Sequence, residues 1–487
     1  MQRLPPNGPC PASAALRPVL LALALQAAGP GRAQPAPGQE PKIAPPPAAA
    51  EVRVAGVEAD GRLRLEDGRG VWLQGLEPAA PSKELRAALE VLVEAGPLRM
   101  TLDEGPGGGF ALLRGAEAAG EDGEARSVNA RLLAEGLAFF RTTSTRATDQ
   151  AALLAAAGEA RRAGLGVWRG TVQVRGEPPL QRGAVLGLYY REARFDYHKQ
   201  VDRVVSLGAE WLTLLVTCFV DKVDGDAVEF DPERTVEAAR FLETCAYARG
   251  RGLRLKLLPI VLIRHAGEDD WRGTLRPRDP GAFWLSYDRF LCRWVDLARR
   301  GDVEMVSVGS ELCSLERSQE AWERVIANAR GRYGGWLTYS VNWDHYEVPR
   351  FWDLLDQVGM TAYFELTKDP AAPYAELVAA WRRVRVQLEK ASTRLGRRLV
   401  LTELGYPSQD GANTAPWNYY LAPKEVDLEE QRDCFRAFVE VMGDAPFLAG
   451  VHVFDFFEEG GPEDHTYALW GKPAFDVVRR FYAGWRR

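Results

Sequence analysis

Residues 301–345 read GDVEMVSVGSELCSLERSQEAWERVIANARGRYGGWLTYSVNWDH. Two short apolar runs, MVSVG and WLTYSV, flank a segment whose apolar residues recur at helical spacing, SQEAWERVIANARGRYG. The runs are apolar throughout rather than alternating, which predicts strands buried on both faces, as in a parallel sheet. The stretch therefore reads as strand, helix, strand. Glu311 directly follows the first run, where a buried strand gives no reason for a charge.

The same unit recurs in both directions. The other runs are AVLGLYY, WLTLLVT, LRLKLLPIVL, QVGMTAY, LVLTEL and AGVHVFDF. Helical patterns such as PERTVEAARFLETCAYARGRG, PGAFWLSYDRFLCRWVDLARR, PYAELVAAWRRVRVQLEKAS, LEEQRDCFRAFVEVMG and KPAFDVVRRFYAGW lie between or after them. Eight runs in about 300 residues predict an α/β fold, a (β/α)8 TIM barrel over 183–487. A doubly wound open sheet is the alternative, but no run is followed by a Gly-rich phosphate turn.

A barrel of this kind carries its active site at the C-terminal ends of its strands. Tyr189-Tyr190 ends the first run, and Arg264-His265 and Trp271 follow the third. Gly309-Ser310-Glu311 ends the fourth, Asn342-Trp343 the fifth, Tyr363 the sixth and Thr402-Glu403 the seventh. Trp417 lies in the loop after the seventh, and the eighth carries Phe454, Asp455 and Phe456. Carboxylates, amides and aromatics at one rim suit a carbohydrate: ring faces stack on sugar C–H surfaces and polar groups read the hydroxyls. Tyr189, His265, Trp271, Trp343, Trp417 and Phe454 are the candidate substrate contacts, although His265 could equally hold its loop. Glu311 and Glu403 are the candidate catalytic pair, because the fourth and seventh strands point both into one mouth. Two carboxyls about 5 Å apart support a double displacement, one as nucleophile and one as acid/base. The acid needs a raised pKa and the nucleophile must stay ionised. The alternative is that each caps a helix or pairs with an arginine. His452, within the eighth run, reads as core. Glu365 is either a third site carboxylate or a solvated loop residue, Asp455 a partner for an arginine, and Glu458-Glu459 a solvated loop.

The strings FWLSYDRF, VSVGSEL, LTYSVNWDHY, FWDLLDQVGMTAYFEL, LTELGYPS and YALWGKPA run in order through nearly all of 184–487. Together they resemble the bacterial β-mannanase group, glycoside hydrolase family 113, of the large retaining (β/α)8 clan. The resemblance implies that Glu311 is the acid/base and Glu403 the nucleophile. It implies that Tyr363 hydrogen-bonds the nucleophile and that Asn342 and Trp343 line the subsite where the bond breaks. The implied chemistry is retaining hydrolysis of β-1,4-mannan or a related β-glycan, with no metal and no redox cofactor. Two departures bear on the sugar: Ser310 stands where much of the clan has Asn, and Phe454 and Phe456 stand where many members have Trp.

The chain has 487 residues, with 61 Lys and Arg against 67 Asp and Glu and a net charge of −6. That balance excludes a strongly basic nucleic-acid binder. The length exceeds what one core usually serves, so two folded units are expected. The 14 Trp fit a sugar-stacking surface in part and core filling for the rest. Residues 1–33 read as a signal peptide, with Arg3 and Arg17 before an apolar run from Val19 to Ala28. The alternative is a disordered Ala/Pro tail. Residues 34–50 are a Pro/Ala-rich spacer, and no other stretch suits a membrane span, so export to the periplasm or the outside is expected. Cys10 leaves with the signal. Cys218, Cys245, Cys292, Cys313 and Cys434 show no CxxC pair or zinc-ligand spacing and read as mostly buried thiols, with one bridge possible.

Residues 51–169 begin with short strands, EVRVAGV, RLRLED and VWLQGL, and continue as helices. The segments RLEDGRGVWLQGLEP, VNARLLAEGLAF and EARRAGLGVW resemble the staphylococcal-nuclease-like OB-fold family, which implies a small β-barrel with packed helices. The family's metal-binding acids and phosphate-binding arginines are mostly replaced here: Arg62, Trp72, Ala80 and Gly109-Phe110 stand at those places, and Glu77 alone survives. The expectation is a non-catalytic binding or spacer module, with nucleic-acid binding by an OB surface of 51–169 the less favoured alternative, joined by a linker at 170–182 (GTVQVRGEPPLQR). The competing classes for the whole chain are a non-catalytic glycan-binding envelope protein and, disfavoured by those losses, a surface nuclease.

Overall fold

The barrel opens at β7 (Gln181–Gly187) and continues through β8 (Trp211–Val220), β9 (Arg254–Ile263), β10 (Met305–Ser310), β11 (Trp336–Val341), β12 (Gln357–Thr361), β13 (Leu399–Leu404) and β14 (Leu448–Val453). In the computed structural model these eight strands are all parallel and close on themselves, β14 pairing with β7 and β9 with β10. The structure describes residues 49–77, 82–94, 96–105, 108–115, 127–142, 147–189, 195–418 and 425–486. The proposed signal 1–33, nearly all of the 34–50 spacer, Cys10 and Tyr190 lie outside the described residues. No helix among the described residues is long and apolar enough to cross a membrane.

Each barrel strand is a continuous apolar run because it has two faces to bury. On β9, Leu255 and Leu257 pack outward under the helices, and Leu258 and Ile260 belong to a separate inner cluster with Val185, Leu215, Tyr363 and Phe454. That alternation is the period of two expected of a pleated strand. The helix Pro280–Arg300 shows how the outer layer is punctuated: Asp279 accepts from the Ala282 N–H at 3.0 Å, proline opens the first turn, and Gly301 follows the last. One connection departs from the expected strand–helix repeat. Between β11 and β12 the chain makes only a 3-10 turn, Trp352–Leu354, with Phe351 and Trp352 buried as its anchors. The segment 342–356 is a succession of turns, and Pro349 interrupts it.

The barrel interior holds a polar layer as well as an apolar one. His452 is fully buried; its Nδ1 meets Thr213 Oγ1 and its Nε2 meets Gln181 Oε1, both at 2.8 Å. Gly183 makes room for this ring, since a Cβ there would lie 2.2 Å from His452 Nδ1. His452 is thus a core residue with both nitrogens engaged. All five cysteines from Cys218 to Cys434 are buried, and none of them is in a disulfide.

The described residues divide between Gly170 and Thr171 into two compact units. The segment expected as a linker partly belongs to the barrel unit: Val174 N–H donates to Gly334 O, Trp336 Nε1 donates to Gly176 O, and β7 begins at Gln181. The other unit holds β1 (Ala50–Val52), β2 (Val54–Val57), β3 (Leu63–Leu65), β4 (Gly70–Leu73), β5 (Leu98–Gly105) and β6 (Gly108–Gly115). They form one sheet in the order β1-β5-β6-β4-β3-β2, with β1 and β2 at its edges and the β4–β6 pair parallel. Helices Lys83–Glu94, Val128–Ala134 and Ala147–Ala163 accompany it. A separate sheet with helices is present, but the nuclease-like OB barrel expected for 51–169 is not shown.

Candidate active site at the C-terminal mouth of the barrel

Glu311 is the residue after β10, and Glu403 lies near the end of β13. Both are buried, at 2% and 0% exposure. A bare carboxylate at that depth needs partners. Glu311 finds one in Arg272, whose Nη2 donates to its Oε2; both side chains are essentially buried. Glu403 accepts from Tyr363 Oη at 2.9 Å through Oε2, while its Oε1 has no protein partner among the described residues. Ser310 Oγ and Trp271 Nε1 are likewise buried and unmatched. Glu403 Oε1 and Ser310 Oγ, at the ends of β13 and β10, are polar atoms available to a bound molecule.

The backbone at Glu311 is held in the left-handed region, φ 51°, which a non-glycine residue adopts only where the surroundings enforce it. Its N–H donates to Ser340 O at 2.8 Å, and the next N–H, of Leu312, donates to Tyr339 Oη at 2.9 Å. That phenol in turn donates to Glu316 at 2.9 Å, and His345 meets the other Glu316 oxygen at 3.3 Å. Glu316 thus anchors the turn that aims Glu311.

The two carboxylates differ electrostatically. Burial first, and then the charge of Glu311, push Glu403 up to about 7; Arg272, the Tyr363 hydroxyl and the buried amine of Lys256 pull the other way. The expectation was a raised acid at Glu311 and an ionised Glu403. The Arg272 guanidinium stands against Glu311, and burial raises Glu403 above the ordinary carboxylate range. Sequence spacing could not reveal which of the two a loop arginine would choose.

Aromatic side chains wall the mouth. Trp343 and Trp417 stack at 5.9 Å with 17° between their planes. Phe454 and Tyr467 flank Tyr363 at 6.3 and 6.0 Å between ring centroids. Tyr189 packs against the same inner cluster, and Trp271 is buried beside the Arg272 guanidinium, 5.9 Å from its ring centre. Asn342 donates to Asp344 at 2.5 Å and stands beside Thr361. His265 is not brought into this group: its side chain is 68% exposed and faces Asp221. Glu365 pairs with Lys368, and Glu459 is bonded to Lys199 and Arg203 at 2.8 Å rather than only solvated.

Asp455 was expected to pair with an arginine, but no ion pair of Asp455 occurs among the described residues. It is 6% exposed. Burial, followed by the charge of Glu458, raises it to about 8. A carboxyl raised in the folded state favours folding most below its unfolded pKa, near 3.9, and that contribution is lost as pH rises through about 8. Asp455→Asn is therefore expected to raise Tm relative to wild type at pH 9, with the gain fading below about pH 5. Calorimetry showing the same difference at both pH values would contradict this.

Two donor groups have metal-like spacing, Cys313/Glu316/His345 and Asp410/Asp427/Glu430. Glu316 is already bonded as described, and Glu430 accepts the Gly411 and Asn413 N–H groups at 2.8 and 2.7 Å. Sequence reading passed over Arg272 and Lys256. A loop arginine carries no signal of its own, whereas Lys256 did: a charge inside the run LRLKLLPIVL.

Residues 188–472 match the family model described as Glycoside Hydrolase Family 113. The chain belongs to glycoside hydrolase family 113. It is a glycosidase with a TIM-barrel domain. The family 113 β-mannanase AaManA from Alicyclobacillus acidocaldarius, solved in complex with ManMIm, is 26% identical, with a TM-score of 0.57 over 63% of this chain and 99% of that one. A family 113 β-1,4-mannanase solved as a complex is 22% identical, with a TM-score of 0.57 over 63% of this chain and all of that one, and shares the fold. No curated protein matches the chain.

Proposed function

We propose that this family 113 glycosidase is a retaining hydrolase of β-1,4-mannan or a closely related β-glycan, with Glu311 as acid/base and Glu403 as nucleophile. The observation that carries the reading is the pair of buried carboxylates at the ends of β10 and β13, with Glu403 Oε1 and Ser310 Oγ unmatched beside them. The β-mannanase named in the AaManA structure supports the substrate class.

In the first step Glu403 attacks the anomeric carbon while Glu311 gives its proton to the departing oxygen. In the second, Glu311 takes a proton from the water that hydrolyses the glycosyl-enzyme. The proton must reside on Glu311 when the bond breaks, on a carboxyl whose Oε2 is held by Arg272. Tyr363 keeps its hydroxyl proton throughout, because burial and then the Glu403 charge push it well above the usual tyrosine range. Tyr363→Phe removes the hydrogen bond that Tyr363 Oη donates to Glu403 and is expected to lower kcat about 10- to 100-fold with little change in KM. A change confined to KM would place Tyr363 in substrate binding instead.

The deciding experiment is reducing-sugar release from β-mannan, cellulose and xylan, with NMR of the first anomer formed. Fast release from mannan as the β-anomer is expected. A first-formed α-anomer would mean inversion, and no release from any glycan by the folded protein would favour a glycan-binding role.

We also propose that the chain is exported and that 51–169 is a non-catalytic module. Arg62 is engaged with Glu58 and Asp60, and Arg141 with Glu77, so these side chains are paired with one another rather than arrayed toward a phosphate.

A further inference from the structure

Lys256 is fully buried on β9. Its neighbours Leu255 and Leu257 pack outward, so it shares the inner side with Leu258 and Ile260. In register it stands across from Thr213 on β8 and Met305 on β10. The polar groups of that layer satisfy one another: Thr213 with His452, His452 with Gln181, and Gln181 with Gln357 at 2.7 Å. Lys256 Nζ is left with no hydrogen-bond partner among the described residues. Burying an unmatched amine is costly, and an apolar side chain of the same length would fill the space without that cost. Burial lowers Lys256 to about 7, and Glu403 is the charge that draws it back toward the ammonium form. His452 supplies no counter-charge: an imidazole is neutral or cationic, and burial, then the Lys256 charge, hold this one neutral.

We propose that Lys256 is a positioning residue for Glu403, its ammonium acting from inside the barrel to keep that carboxylate ionised while the mouth above is occupied by substrate. The proposal rests on the reading of Glu403 as nucleophile. The charged and titratable groups facing Glu403 are Glu311 from β10, Arg272 from the loop after β9, Tyr363 from the end of β12, Asp455 from the end of β14 and Lys256 itself. Arg272 stands at the mouth, bonded to Glu311. Lys256 lies well below the C-terminal end of its strand. Of these two cations it is the one that makes no hydrogen bond among the described residues.

The sign is fixed by the groups that remain. Without the ammonium, burial and Glu311 still push Glu403 toward its protonated form, so the nucleophile is lost at higher pH than in wild type. In the full chain, Lys256→Met and Lys256→Gln are expected to move the acid limb of kcat/KM on β-mannan up by about one pH unit. The plateau at higher pH should be retained within a few-fold, and Lys256→Arg should return the limb toward wild type. A folded neutral variant with an unmoved limb and a uniform loss at all pH values would overturn the proposal, leaving Lys256 as barrel filling. Should both neutral variants fail to fold, the same coupling is read from the other side. Lysine NMR of Glu403→Gln should show the Lys256 amine titrating about one unit lower than in wild type, and an unchanged titration would overturn the proposal. Full activity of Glu403→Gln would instead remove the nucleophile reading itself. An inactive Glu403→Gln together with an unmoved limb would remove the Lys256 role alone.

Discussion

Glu403→Gln is expected to lower kcat on β-mannan by on the order of 10⁴-fold or more, and Glu311→Gln by about 10²- to 10⁴-fold. The two losses differ in kind. A glutamine at 403 cannot form the glycosyl-enzyme, so no leaving group restores the rate. A glutamine at 311 cannot protonate the departing oxygen, so an aryl glycoside with a good leaving group should recover much of the first step. Azide separates the roles further. With Glu403→Gly and an activated substrate, azide takes the place of the nucleophile and the product is the α-glycosyl azide. With Glu311→Ala it intercepts the glycosyl-enzyme and the product is the β-glycosyl azide. Interchanged stereochemistry would reverse the two assignments, and wild-type rates in either glutamine variant would remove that residue from the reaction. Both side chains are buried, so circular dichroism should accompany each rate.

Arg272→Met is expected to destabilise the barrel unit by about 3 kcal/mol or more, read from urea unfolding. Arg272 and Glu311 are both essentially buried and bonded to each other, so the substitution leaves an anion in a poorly solvated place without its cation. The size of the effect reflects that stranded charge more than the worth of the intact pair. Arg272→Met combined with Glu311→Gln should therefore recover most of the loss, a coupling that a double-mutant cycle measures directly. The arginine also pulls Glu403 toward its charged form, so the single variant should show its acid limb at higher pH. A stability change below about 1 kcal/mol, or no recovery in the double variant, would show that solvent or another group already neutralises Glu311.

The amino-acid order alone determines the barrel. Continuous apolar runs can be buried only on two faces, and eight of them in this order leave few architectures open. It also carries the position of the carboxyl pair, because Glu311 and Glu403 each interrupt or end such a run, and a buried strand has no local use for a charge. The aromatic wall was legible for the same reason in Trp343, Trp417 and Phe454, which follow strand ends. His265 shows the limit of that rule. It also follows a strand, yet its backbone turns outward and the ring meets Asp221 in solvent. The linker shows another limit, since Val174 and Gly176 look like any loop until Gly334 and Trp336 arrive from a distant part of the chain to bond them.

Only the tertiary structure decided the charge state of the site. A pKa depends on what stands within a few ångströms and on how much water is excluded, and neither is local in sequence. Arg272 is 39 positions from the carboxylate it holds, and Lys256 on β9 acts through its charge on a carboxylate of β13. The strands can be read from local pattern because burial on two faces is a property of each run by itself. The partners of Glu311 and Glu403 cannot, because they come from other strands and loops that meet only when the barrel closes.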